Sequence, residues 1–211
     1  VWQGKYGTFG REIFGAKVGK FLFMHDELRF SLTIGQDIEL RLFVESDAEA
    51  LYKLIDTNRT HLRQWLPWVD YETSAWDTQK FIQKVRQQYA NSEGFQLGIW
   101  YQGQLAGVIG YHPINWPGRH VEIGYWLGAG FEGQGIMTRA CHTLVNYAFE
   151  HLTLNRVEIL CATGNLRSRA IPQRLGFTLE GVMRDGEWLY DHFVDLAIYS
   201  VLAREWKING A

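Results

Sequence analysis

The segment Glu132-Gly133-Gln134-Gly135-Ile136-Met137 is where residue type and spacing point most directly to chemistry. Two glycines one residue apart leave backbone N–H groups uncovered and permit positive φ, and the apolar periodicity that begins at Met137 predicts a helix directly behind them. A helix start preceded by such a turn gathers unpaired N–H donors and the positive end of the helix dipole, so the segment reads as an anion site. Gly133 and Gly135 admit a bulky group, and Thr138 adds a hydroxyl. Local charge agrees. From Thr138 to Gly176 the cations Arg139, Arg156, Arg167, Arg169 and Arg174 stand against Glu150 and Glu158. Any one arginine could simply solvate a helix face, whereas the group favours a phosphate.

Two other phosphate-binding patterns compete for the same glycines. Gly128, Gly130 and Gly133 spell GxGxxG between a strand and a helix, as in dinucleotide-binding folds. That motif normally opens its domain and is followed by a strand ending in an acidic residue; here an antiparallel meander precedes it and the next strand ends in Cys161-Ala162-Thr163. The Gly-Lys-Ser/Thr of a nucleoside-triphosphate loop does not follow. Neither do Cys141 and Cys161 form a CxxC, and Cys141 and His142, adjacent on a helix, diverge by roughly 100°. No metal and no disulfide are expected, and a reducing, cytoplasmic setting fits.

These groups need a scaffold, and 211 residues with 46% hydrophobic and 21% charged content suffice for one core. A formal charge of −2 gives no broad basic surface for direct nucleic-acid binding, and no apolar run reaches the roughly 18 residues of a membrane helix. Residues 1–23 read as an N-terminal extension outside the core, Met24 as a candidate native start, and 24–211 as a single domain. Alternation at Ile38, Leu40 and Leu42 predicts a first strand; Ser46 and Glu49 make a capping box ahead of a helix carrying Leu51, Leu54 and Ile55. A second helix is expected over 77 to 89. FQLGIWY and LAGVIGYH flank Gln102-Gly103-Gln104 as a hairpin, and 121 to 127 adds a third strand. A helix over 137 to 148 and a strand over 156 to 161 complete a right-handed crossover, which makes 121 to 127 and 156 to 161 parallel. A short helix, 168 to 175, leads to closing strands near 177 to 184 and 192 to 200. The class is α+β in three layers: a mixed, mostly antiparallel sheet with one central parallel pair and helices on both faces.

EIGYWL, the turn EGQGIM with its helix, LNRVEI, Asn165, Ser168 and Gly176-Phe177 occur in an order that resembles the GNAT superfamily of N-acetyltransferases, and within it the RimJ/RimL-type branch that acetylates N-termini of ribosomal proteins. The match spans about residues 36 to 206. The turn departs from the superfamily pattern at Glu132, where Gln or Arg is usual, and at Met137, where Gly or Ala is usual. Backbone recognition survives both changes because N–H donors do not depend on side-chain identity.

The resemblance implies acetyl-CoA as co-substrate in the opening between the two parallel strands. Its pantetheine arm would pair with Tyr125, Trp126 and Leu127 and its pyrophosphate with residues 132 to 137, flanked by Thr138 and Arg174. Asn165 would hold the pantetheine arm or simply shape the turn after its strand. The acceptor would be a primary amine, a ribosomal protein N-terminus or a small amine such as a polyamine; a non-catalytic acyl-CoA sensor is the competing class. Pairing of two copies is left open.

Acyl transfer to an amine needs a base, an oxyanion donor and a proton for the departing thiolate. By resemblance Glu187, on the loop between the last two strands, is the first candidate base and Glu122 the second. A backbone N–H near Leu127 would receive the oxyanion. Many superfamily members place a tyrosine acid four residues before the glycine of the Gly-Phe pair, but Pro172 stands there; Ser168 could deliver the proton or merely cap its helix. His112 could contact the acceptor or be structural, and Trp65 and Trp68 could wall the acceptor groove or only pack.

Overall fold

The computed structural model describes residues 30–206, so the extension assigned to residues 1–23 and the candidate start at Met24 lie outside the described residues. The chain runs β1 (Ser31–Ile34), β2 (Ile38–Leu42), α1 (Ala48–Thr57), α2 (Arg59–Leu62), α3 (Ala75–Ala90), β3 (Phe95–Tyr101), β4 (Gln104–Tyr111), β5 (His120–Leu127), α4 (Ile136–Glu150), β6 (Arg156–Ala162), α5 (Leu166–Arg174), β7 (Thr178–Leu189) and β8 (His192–Leu202). One sheet takes the order β1-β2-β3-β4-β5-β6-β8-β7, antiparallel except between β5 and β6.

Sequence alternation dictates which face each helix covers. On β4, Ile109 and Tyr111 join the larger core with Leu144 and Ala140 of α4, while Val108 points the other way into a second core with Leu51 and Ile55 of α1 and Ile82 of α3. The Tyr111 hydroxyl, fully buried, donates to the Leu144 carbonyl and ties sheet to helix. The predicted hairpin turn has φ +50° at Gln102 and +78° at Gly103, the two positive values of a type I′ turn.

Several expectations need correction. A strand, β1, precedes the first expected one. No capping box forms at Ser46; Asp47 instead accepts from the Val44 N–H at 2.9 Å and from both terminal nitrogens of Arg41, stapling the start of α1 to β2. Asn165, not Ser168, caps α5, its Oδ1 accepting from the Ser168 N–H at 3.0 Å. The largest difference is β7, which continues through a bulge between Met183 and Glu187 to Leu189, so Glu187 lies in a strand opposite Val194 and not in the loop.

Candidate active site

The parallel pair does not stay paired. The β5–β6 ladder holds at His120–Arg156, Val121–Val157 and Glu122–Glu158, yet β5 continues to Leu127 and β6 to Ala162. Hydrogen bonds from the His112 N–H to the Glu122 carbonyl and from the Gly128 N–H to the Ala106 carbonyl fix the β4–β5 register. Antiparallel alternation then turns the backbone of Glu122, Gly124, Trp126 and Gly128 toward β4 and that of Tyr125 and Leu127 away from it. Two backbone N–H groups therefore face the gap between diverging strands.

Two cavities meet at this gap, both bordered by Trp65, Leu66, Tyr125, Trp126, Asn165 and Ser168. The larger, about 1300 Å³, runs from Leu127 along the glycine turn to Thr138 and Arg174. Gly133 and Gly135 adopt φ +76° and +72°, and a Cβ added at either would meet nothing within 4 Å, so both face open space. Arg174 donates to Thr138 Oγ1 at 2.7 Å beside the start of α4. Side chains of Ile136 and Met137 are buried in the core, leaving only their backbone for the cleft, and the Gln134 amide turns back onto the Gly130 carbonyl. A site that offers backbone N–H groups, a helix start and an arginine to a long open cleft fits a phosphate-bearing carrier.

The positive group expected from composition is smaller than its count. Arg139 is held bidentately by Asp37, Arg156 by Glu158 and Glu180, and Arg169 by the Thr163 carbonyl and Tyr199 hydroxyl. Arg167 and Arg174 remain beside the glycine turn, and Arg167 ion-pairs with Glu132.

The smaller cavity, about 640 Å³, lies on the α1–α3 side and is bordered by Trp65, Trp68, His112, Glu122 and Glu187. Trp68 packs tilted on Trp126, with ring centroids 6.0 Å apart, and the Trp65 ring lies over Gly164. His112 Nδ1 sits 3.3 Å from Glu122 Oε1, and that carboxylate raises the imidazole pKa above its usual value. The ring fits because Gly124 lacks a side chain: a Cβ there would come within 2.6 Å of His112 Nε2. Glu187 is half-buried, and its carboxylate forms no hydrogen bond or ion pair among the described residues. Burial, then the negative charge of Glu122, lifts its carboxyl pKa, and His112 partly opposes this.

Between the cavities stands a cluster that sequence reading did not assemble. Ser168 Oγ lies 3.2 Å from the Tyr125 hydroxyl and 3.1 Å from Cys161 Sγ, and the Tyr125 hydroxyl donates to the Ser168 carbonyl at 3.1 Å. Burial pushes the Tyr125 phenol well above its ordinary pKa and raises that of the Cys161 thiol, so both hold their protons at neutral pH. Strand parity, which aims Tyr125 and Cys161 out of their strands toward α5, was the available signal. Glu72 and Lys84, which also border the smaller cavity, carried no local motif. Among the described residues no cluster of three potential metal ligands occurs, and no helix is long and apolar enough to cross a membrane.

Comparison with known proteins places this arrangement. The model of the acetyltransferase (GNAT) domain matches residues 37–178. YdaF of Bacillus subtilis (strain 168), which carries a provisional ribosomal N-acetyltransferase name, is 44% identical over 180 residues, 84% of this chain and 98% of the relative. The ribosomal-protein-serine acetyltransferase of Escherichia coli (strain K12) is 31% identical over 81% of this chain and 95% of its own length. Among solved structures, RimL, a ribosomal L7/L12 α-N-protein acetyltransferase in complex with coenzyme A disulfide-linked to a cysteine, superposes with TM-score 0.79 at 31% identity over 82% of this chain and 98% of that one.

Proposed function

The chain belongs to the GNAT acetyltransferase family, and from that premise we propose that it moves an acetyl group from acetyl-CoA to the N-terminal α-amine of a ribosomal protein, by direct attack within a ternary complex. The observation that carries the reading is the junction of two cavities at the β5–β6 divergence. One has the backbone donors and length for a phosphate-bearing carrier, and the other holds an unpartnered carboxylate. The acceptor assignment rests on the names of the relatives, and the coenzyme A bound in RimL supports the choice of carrier.

The carrier supplies an activated thioester acyl group; this chain's residues do the rest. Glu187 removes a proton from the incoming ammonium, assisted by a carboxyl pKa lifted toward that of its task, and the His112–Glu122 pair lines the same wall. The N–H of Leu127, aimed into the gap, takes charge that develops on the acyl oxygen. Ser168, held against the Tyr125 phenol, gives its hydroxyl proton to the departing sulfur and takes up the second proton that the nitrogen sheds as the amide forms, a relay that stands in for the tyrosine absent at Pro172.

The test follows free thiol release with a panel of N-terminal peptides and small amines, for wild type and Glu187→Gln. Turnover on a ribosomal-protein N-terminal peptide, reduced about 10²- to 10⁴-fold in kcat in the variant with coenzyme A affinity retained, is expected. Turnover confined to polyamines would move the acceptor class, and tight coenzyme A binding with no turnover on any acceptor would make the protein a sensor.

A further inference from the structure

Glu132 stands at the one place in the cofactor turn where a negative side chain works against a phosphate ligand. Its carboxylate pairs with Arg167 of α5, and its other oxygen lies 3.5 Å from Nε2 of His61 on α2. All three side chains border the larger cavity, so the contact joins α2 to α5 across the cleft through which the carrier must thread. The Glu132 side chain is 25% exposed and Arg167 78%, so the acid is seated and the base reaches out to it. The other arginine at this end, Arg174, rests on the neutral Thr138 hydroxyl and keeps its charge available.

Building on the cofactor assignment above, we infer that Glu132 is an internal competitor of the cofactor's phosphates: it occupies Arg167, which the phosphates would otherwise recruit, so that in the wild-type protein the gain from Arg167 is offset by the loss of its pair with Glu132. A carboxylate one residue ahead of the N–H cradle also repels the bound diphosphate directly. Two effects therefore share one sign. Removing the charge while keeping the shape tightens binding, and Arg167 contributes fully to phosphate binding only once Glu132 is gone.

The experiment is a double-mutant cycle on coenzyme A binding itself, by calorimetry for Kd and stopped flow for dissociation, with wild type, Glu132→Gln, Arg167→Met and the double variant. Expected are a Kd about fivefold lower for Glu132→Gln, mostly through slower dissociation. Arg167→Met changes Kd little in the wild-type background and weakens binding several-fold in the Glu132→Gln background. Unchanged or weaker binding by Glu132→Gln, or an equal cost of Arg167→Met in both backgrounds, overturns the competition while leaving the cofactor assignment standing. A wild-type protein that binds no coenzyme A removes both.

Discussion

At the level of single residues, the smaller cavity couples His112 to Glu187 with a sign that experiment can check. Burial and Glu122 raise the Glu187 carboxyl, while the imidazolium of His112, itself favoured by Glu122, lowers it. His112→Gln removes the lowering influence, so the Glu187 pKa rises and the acid limb of kcat, measured at saturating concentrations of both substrates, moves to higher pH. A limb that stays or moves down would disconnect that titration from Glu187. The residues of this cavity were legible to unequal degrees. Glu187, Ser168 and Asn165 came with the family pattern, and the glycine turn announced itself through physics alone. The Tyr125 hydroxyl did not, because its partner Ser168 lies 43 positions away and only the crossover of α4 brings β5 and α5 together. The arginine count misled for a related reason: sequence shows cations but not that Asp37, 102 positions from Arg139, holds one of them.

At the scale of elements, short polar side chains decide where helices start and how the sheet's far edge is fastened. Asn165→Ala leaves the Ser168 N–H at the start of α5 without its acceptor and costs about 1 kcal/mol in urea unfolding, whereas Asn165→Asp keeps most of it. Equal melts for the alanine and aspartate variants would show that the cap does not matter. On the edge strand β7, Glu180 accepts from Arg156 of β6 and from Ser200 of β8 at 2.6 Å, holding its pKa down at about 2. A depressed carboxyl stabilises the fold above its unfolded pKa and loses that contribution as pH falls toward the folded value. Glu180→Gln is therefore expected to cost about 1 kcal/mol at neutral pH, the surface-pair range appropriate to a group 41% exposed. The deficit should shrink as pH drops from about 4.5 toward 2, and a deficit constant across that window would locate the effect in packing. Boundaries were misread where local signals resembled turns. Arg184-Asp185-Gly186 looks like a strand end, but a bulge absorbs it and β8 keeps pairing beyond it. β1 has only four residues with a half-exposed pattern, too short for periodicity to register.

Across the whole molecule, the divergence of β5 from β6 makes a passage through the sheet, with the larger cleft and the smaller cavity meeting at Tyr125 and Ser168. Strand order and the crossover made the parallel pair predictable, but not where its ladder stops, because both strands continue past Glu122–Glu158 with no local break in their apolar pattern. On the proposed assignment, two substrates that meet at this junction from separate mouths have no need of a covalent stop between them. The nearest nucleophile argues the same way, because burial keeps Cys161 as a thiol. Initial velocities over a grid of acetyl-CoA and acceptor concentrations should give intersecting double-reciprocal lines. Protein exposed to acetyl-CoA alone should show no acetyl mass increment, and Cys161→Ala should leave kcat little changed. Parallel lines together with an acetylated Cys161 would replace direct transfer by a two-step route through the cysteine. The same grid read with coenzyme A as product inhibitor separates the mouths: competition against acetyl-CoA and not against the amine is what two cavities sharing only their junction require.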